Sequence, residues 1–167
     1  VEYMLSISVD LDKFEKIHKL TKTFNNIWCS TGVHPNNVPR NFGDDELKIL
    51  KKKLELNSSK KKVIGIGETG LDYFRNFENK NNQMDYFETH LEVASKEKIP
   101  LIVHTREADD DTIFFLDKFV QTKKTKGLIH CFSSDKRLAK CALENGFYIS
   151  FSGIITFNKS HELRTVS

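Results

Sequence analysis

A strict alternation between short apolar runs and longer stretches of helical periodicity constrains this chain more than any other feature. Six runs rich in β-branched residues read as strands: Tyr3–Val9, Ile27–Val33, Val63–Gly67, Pro100–Val103, Gly127–Ile129 and Phe147–Phe151. Nearly continuous apolar runs of this kind are expected of parallel strands covered on both faces. Between them lie five helical patterns. Asp10 can cap a helix whose apolar face is Leu11, Phe14, Ile17, Leu20 and Phe24. Asp44 begins the next, with Leu47, Leu50 and Leu54, and Met84, Phe87, Leu91 and Ala94 form the third face. Asp110 or Asp111 starts the fourth, with Ile113, Leu116, Phe119 and Val120. The fifth runs from about Ser134, and Gly146 stands where a left-handed C-terminal cap belongs. Strict βα alternation means repeated right-handed crossovers on one parallel sheet. That leaves an open doubly wound sheet or a closed (β/α)8 barrel, which needs about 250 residues and eight strands.

The 167 residues suffice for one domain with a real core, and no repeat or low-complexity linker divides residues 1–167. Asn76 to Asn82 is the most polar stretch and reads as a loop. A net charge of +3, with lysines scattered over helical segments, points only weakly to nucleic acid. Three widely spaced cysteines fit reduced thiols in a cytoplasmic protein better than a disulfide framework. No signal peptide or long apolar span suggests a membrane, and nothing marks an obligate protein partner.

Gly65-Ile66-Gly67-Glu68-Thr69-Gly70 spells G-x-G-x-x-G directly after a strand. A dinucleotide site requires a helix to open there and present its N–H groups to a diphosphate. The next helix instead waits until about Asn81, and Glu68 would set a carboxylate beside the diphosphate. The glycines are better read as relieving crowding within the strand.

Four runs end on a ligand-type side chain: His34, Glu68, His104 and His130. Parallel strands would gather these at the rim where barrels carry their chemistry. A carboxylate among imidazoles suits a divalent metal, and Glu68 could bridge two ions. His34 could be a ligand or could face substrate. Arg106, two residues after His104, has the planar fork that recognises phosphate, unless a rim ion pair with Glu107 or Asp109 occupies it. Asp72, Tyr73 and Arg75 form a polar loop above Glu68, suited to holding substrate or to bonding within the loop. Strand alternation turns Cys131 away from His130, into a buried and inert position. His18, His90 and His161 fall on helical or terminal segments and read as surface residues, while Asp109-Asp110-Asp111 starts a helix.

Taken together, Gly32-Val33-His34-Pro35, Ile66-Gly67-Glu68-Thr69-Gly70-Leu71-Asp72-Tyr73, His104-Thr105-Arg106, Ile129-His130-Cys131-Phe132-Ser133 and Tyr148-Ile149-Ser150-Phe151-Ser152-Gly153 resemble the TatD-like metal-dependent deoxyribonucleases. The resemblance implies a (β/α)8 TIM barrel with about six of eight strands present, the first and last lacking. The family's His-x-His strand and its C-terminal Asp strand have no counterpart in the sequence. It implies Glu68, His104 and His130 as metal ligands, with Glu68 catalytic. His34, Asp72, Tyr73, Arg75 and Arg106 are implied on the substrate side. The implied cofactor is a divalent metal, commonly Mg²⁺ and as a pair of ions, with Mn²⁺ or Zn²⁺ as alternatives. The implied substrate is DNA, single-stranded or at 3′ ends, cleaved by metal-activated water. Two other readings accommodate the same residues: a barrel hydrolase such as an aminoacyl-tRNA deacylase, or a truncated chain without catalysis.

Overall fold

Six parallel strands form one sheet whose spatial order, β1 to β6, is their order in the sequence. They are β1 (Met4–Ser6), β2 (Ile27–Thr31), β3 (Val63–Asp72), β4 (Leu101–Arg106), β5 (Gly127–Ile129) and β6 (Tyr148–Ile149). The helices are α1 (Phe14–Thr23), α2 (Asp44–Ser58), the short α3 (Tyr73–Asn76), α4 (Lys80–Glu97), α5 (Asp109–Lys123), α6 (Lys136–Glu144) and the short α7 (His161–Arg164). The computed structural model describes all residues except 124 and the side chains of 120–123, so Val120 on the fourth helix face lies outside the described residues.

A doubly wound sheet reverses its strand order at a switch point. Here every crossover advances by one strand in the same direction, so the helices collect on one side and the strands make six staves of a TIM-barrel wall. Register separates the two faces. Ile66 pairs with Leu101, and Val103 with Ile129. All four are fully buried and pack with Leu54, Phe87, Leu91, Leu116 and Leu138 from the helices. Each such side chain contributes about 1.5–3 kcal/mol on burial. The alternate row, Ile102, Leu128 and Tyr148, is in register on the inner face.

Two strands run further than their apolar content suggests. β3 continues past Gly67 through Glu68 to Asp72, and β4 past Val103 to Arg106. Backbone pairing of Gly70 with His104 and Asp72 with Arg106 carries the sheet into the polar segment. Gly67 and Gly70 make this feasible, with φ of 129° and 130°. A Cβ on Gly70 would lie 2.0 Å from the His104 carbonyl oxygen, and one on Gly67 2.4 Å from that of Ile102. The glycines therefore serve close strand approach, and the nucleotide-binding reading falls because β3 continues where a helix would have to open.

Other expectations change. α1 starts at Phe14 rather than just after Asp10, because the Asp10 carboxylate accepts the Asp12 N–H and closes a turn first. The buried stripe becomes Phe14, His18 and Thr21, leaving Leu20 and Phe24 exposed. Asn76 to Asn82 is helical rather than a loop. Within it Asn79 is buried, donating to the Val38 carbonyl. His18 and His90 are buried, not at the surface, whereas His161 is exposed.

Candidate metal and phosphate site

A register shift between Ile66 and Thr69 places Glu68 in an irregularity of β3 at the end of the barrel that carries the C-terminal ends of the strands. Such bulges re-aim a side chain. Its own N–H donates to the Ser8 carbonyl at 2.7 Å, so the segment after β1 fixes the backbone there. The same segment anchors His34, whose N–H donates to Val9 O at 3.0 Å. His104 comes from within β4, and His130 follows the last residue of β5.

The structure brings all four predicted groups together. Ligand atoms of His34, Glu68 and His104 lie within 4.8 Å of one another. Glu68 Oε1 is 2.9 Å from His130 Nδ1 and 3.4 Å from His104 Nδ1. The rings of His34 and His104 meet edge-on at 4.3 Å between centroids. Separations of this size match neighbouring donors around one cation with bonds of about 2.0–2.2 Å, and a carboxylate with imidazoles is a suitable donor set.

Electrostatics favour the ligating forms of Glu68 and His34. Burial opposes ionisation of Glu68, but hydrogen bonds from His104 and His130 outweigh it and hold the carboxyl down at about 2. Burial, reinforced by repulsion from His104, lowers His34 to about 4. His130 moves the other way, raised chiefly by its hydrogen bond to Glu68.

The two remaining imidazole nitrogens distinguish His104 from His34. His104 Nε2 lies 3.1 Å from Asp72 Oδ2, which keeps a proton on Nε2 and leaves Nδ1, 3.4 Å from Glu68 Oε1, as the nitrogen a cation could take in place of a proton. His34 Nδ1 accepts the Asn36 N–H at 3.2 Å, so in the neutral ring the proton sits on Nε2. His34 thus offers an Nε2 donor, whereas His104 keeps Nδ1 as its metal-facing nitrogen.

Asp72 is buried and fully engaged. It accepts from Asn36 Nδ2 and from the Arg75 N–H, in addition to His104. Tyr73 donates to Asp111 at 2.7 Å, and the side chain of Arg75 is exposed. The side chain of Arg106 pairs with neither Glu107 nor Asp109 and enters no ion pair or hydrogen bond among the described residues. Its guanidinium lies 3.9 Å over the ring of Phe74. With His104, Tyr73 and Lys80 it lines an open cleft of about 1520 Å³. Cys131 is exposed rather than buried: its φ of 51° takes the chain out of strand geometry, so alternation no longer governs it. Its Sγ lies 3.5 Å from His130 Nε2.

Sequence reasoning missed three supporting residues. Gln83 is buried, accepts the Asp72 N–H at 2.7 Å and donates to the Asp72 and Asn76 carbonyls. His90 accepts the Val33 N–H, next to His34. Asn36 holds Asp72. Gln83 and His90 could have been found, because both fall on the i, i+4, i+7, i+8 stripe with Phe87 and Leu91, where a polar residue must have a buried partner.

The family profile described as TatD related DNase matches residues 1–167. The chain belongs to the TatD family. Among TatD-type relatives, it is 42% identical over 164 residues to the uncharacterized metal-dependent hydrolase BU355 of Buchnera aphidicola subsp. Acyrthosiphon pisum, covering 98% of this chain and 62% of that protein. It is 26% identical over 153 residues to the 3′-5′ ssDNA/RNA exonuclease TatD of Salmonella typhimurium, covering 92% and 56%. The crystal structure of YjjV, a TatD homologue from Escherichia coli K12, superposes with a TM-score of 0.85 at 24% identity, over 99% of this chain and 62% of that one. The chain therefore spans about three-fifths of the length of its TatD relatives.

Proposed function

We propose that the protein is a metal-dependent phosphodiesterase that cleaves DNA, single-stranded or at its 3′ ends. The observation that carries this reading is the ionised Glu68 carboxylate, set 2.9 and 3.4 Å from two imidazole nitrogens, with Arg106, whose side chain forms no ion pair or hydrogen bond among the described residues, two residues after His104 on β4. Support for the substrate comes from the Salmonella relative, whose name is 3′-5′ ssDNA/RNA exonuclease.

In this reading Glu68, His104 and His130 hold the metal, most simply Mg²⁺. A bound divalent cation supplies activated water and charge neutralisation at phosphate, and Glu68 can serve two such ions. Asp72 acts through His104, keeping its proton on Nε2. His34 stands on the substrate side, because its Nε2–H suits a phosphate oxygen and burial keeps the ring neutral at pH 7. Arg106 and Arg75 supply the positive charge a phosphodiester requires. Tyr73, tied to Asp111, shapes the cleft wall at the substrate.

The test is release of nucleotides from end-labelled single-stranded DNA by the full-length protein, with and without Mg²⁺ or Mn²⁺. Glu68→Ala is expected to lower the rate by about 10³-fold or more, as loss of a catalytic metal ligand does. Undiminished cleavage by that variant overturns the assignment.

A further inference from the structure

The guanidinium of Arg106 is unusual in what it leaves free. Its Cζ lies over the Phe74 ring, 3.9 Å from the centroid, while its N–H donors have no partner among the described residues. Phe74 is itself 55% exposed, although it follows the buried Asp72 and the half-buried Tyr73. Here the exposed ring face supports the guanidinium of an arginine.

Arg106 is also placed with respect to the metal ligands. It follows His104 by two residues on β4, so both project from the same face of the strand, and it is in register with Asp72. Both Arg106 and His104 line the cleft. A phosphate held near His104 would bring an attached nucleoside close to the guanidinium plane. Phosphate needs the edges of a guanidinium, whereas a nucleobase stacks on its face, so the two contacts do not compete.

We infer that Arg106, held over the ring of Phe74, is a stacking platform for the nucleobase next to the bond to be cut. The inference rests on the nucleic-acid reading above and adds that the base, not only the phosphate, is recognised. Arg106 touches the base; Phe74 is a positioning residue behind it. Stacking of this kind tolerates any base, because every base has a π-face. It selects for a base that is unpaired and free to turn into the cleft, hence for single-stranded ends.

The experiment measures binding of the full-length protein to two single-stranded oligonucleotides in EDTA, where no cleavage occurs. One carries 2-aminopurine at its terminal nucleotide and the other an abasic residue there. The base-bearing strand is expected to bind about tenfold more tightly, with quenched 2-aminopurine fluorescence. Arg106→Lys keeps the charge but loses the plane, and the ratio falls to near one. Phe74→Leu keeps bulk but loses the ring face and reduces the ratio by about two- to fivefold, and Phe74→Tyr restores it. Equal binding of both strands by the wild type overturns the inference, as does a full tenfold ratio in Arg106→Lys. Base discrimination in EDTA by a protein that shows no metal-dependent cleavage would refute the hydrolase reading while supporting the platform.

Discussion

Asp72 shows how much of the site depends on a residue that itself faces no ligand. Its carboxylate meets His104 Nε2 at 3.1 Å and so decides which nitrogen of that ring has a lone pair to give. Asp72→Asn preserves the shape but can present an amide N–H to the imidazole, which favours the opposite tautomer. Outer-shell changes of this type cost about 10–100-fold in metal affinity, and a Mn²⁺ titration should show a loss in that range without loss of fold. An unchanged affinity would mean that Asp72 does not orient His104. His130 and Glu68 add a pH dependence whose sign can be worked out. Glu68 is depressed to about 2 from 4.5, so its contribution to stability is present above about pH 4.5 and is lost as pH falls toward 2. His130 is raised above 6.5 chiefly by the same hydrogen bond, so its contribution is present below 6.5 and is lost as pH rises through its folded value. A cation must displace that proton to bind at His130. Mn²⁺ should therefore raise the thermal midpoint more at pH 8 than at pH 6, and an equal or inverted increment in scanning fluorimetry would rule out His130 as a ligand.

At the scale of elements, α4 and the segment that follows β2 are joined through one buried histidine. His90 donates from Nδ1 to the Tyr86 carbonyl at 2.6 Å and accepts the Val33 N–H on Nε2 at 3.1 Å, one residue before His34. Burial lowers it to about 4, below the 6.5 of an unfolded imidazole. The unfolded chain takes up this proton first, so the stability His90 provides is present above pH 6.5 and declines by about 3 kcal/mol as pH falls to 4. Urea midpoints at pH 7 and 4.5 should differ less in His90→Gln than in the wild type; equal differences would remove His90 as the cause. Gly70 joins β3 to β4 just as closely, since a Cβ there would meet the His104 carbonyl at 2.0 Å. Gly70→Ala should thus cost several kcal/mol, on the order of 3 or more for forced overpacking and an unfavourable φ, and should displace His104. Strand identity and order were legible in the sequence because apolar β-branched runs mark buried parallel strands, and His34, Glu68, His104 and His130 followed from where those runs stop. The extension of β3 to Asp72 was hidden, because Glu68-Thr69-Gly70 looks like the end of a strand until its pairing with β4 is seen. Cys131 was misplaced for a related reason: alternation holds only while the backbone remains extended, and it turns at His130. The Asn36–Asp72–His104 chain was not legible at all, since hydrogen bonds between distant segments leave no periodic trace.

At the scale of the molecule, the sheet has two edges without a further strand among the described residues, and an inner face that they cover only in part. Among the described residues β1 pairs only with β2, and β6 only with β5. Tyr148, on β6, is 79% exposed, in register with Leu128 and Ile102 of the inner row, whereas Ile102 itself is 2% exposed. Burial of that row thus falls off from the middle of the sheet toward the β6 edge. Unpaired strand edges with apolar neighbours recruit other chains, and natural proteins blunt them with lysine or proline or cover them. β6 carries neither within Tyr148–Ile149. A polypeptide of residues 1–167 alone should therefore self-associate as its concentration rises through the micromolar range, with a shift to larger species in sedimentation velocity. Tyr148→Lys places a charge on the edge and inner face together and should reduce that association, whereas a charge on α2 at the exposed Ile49, away from both edges, should not. Monomeric behaviour of residues 1–167 at high concentration, or equal effects of the two substitutions, would show that the β6 edge is not the adhesive surface.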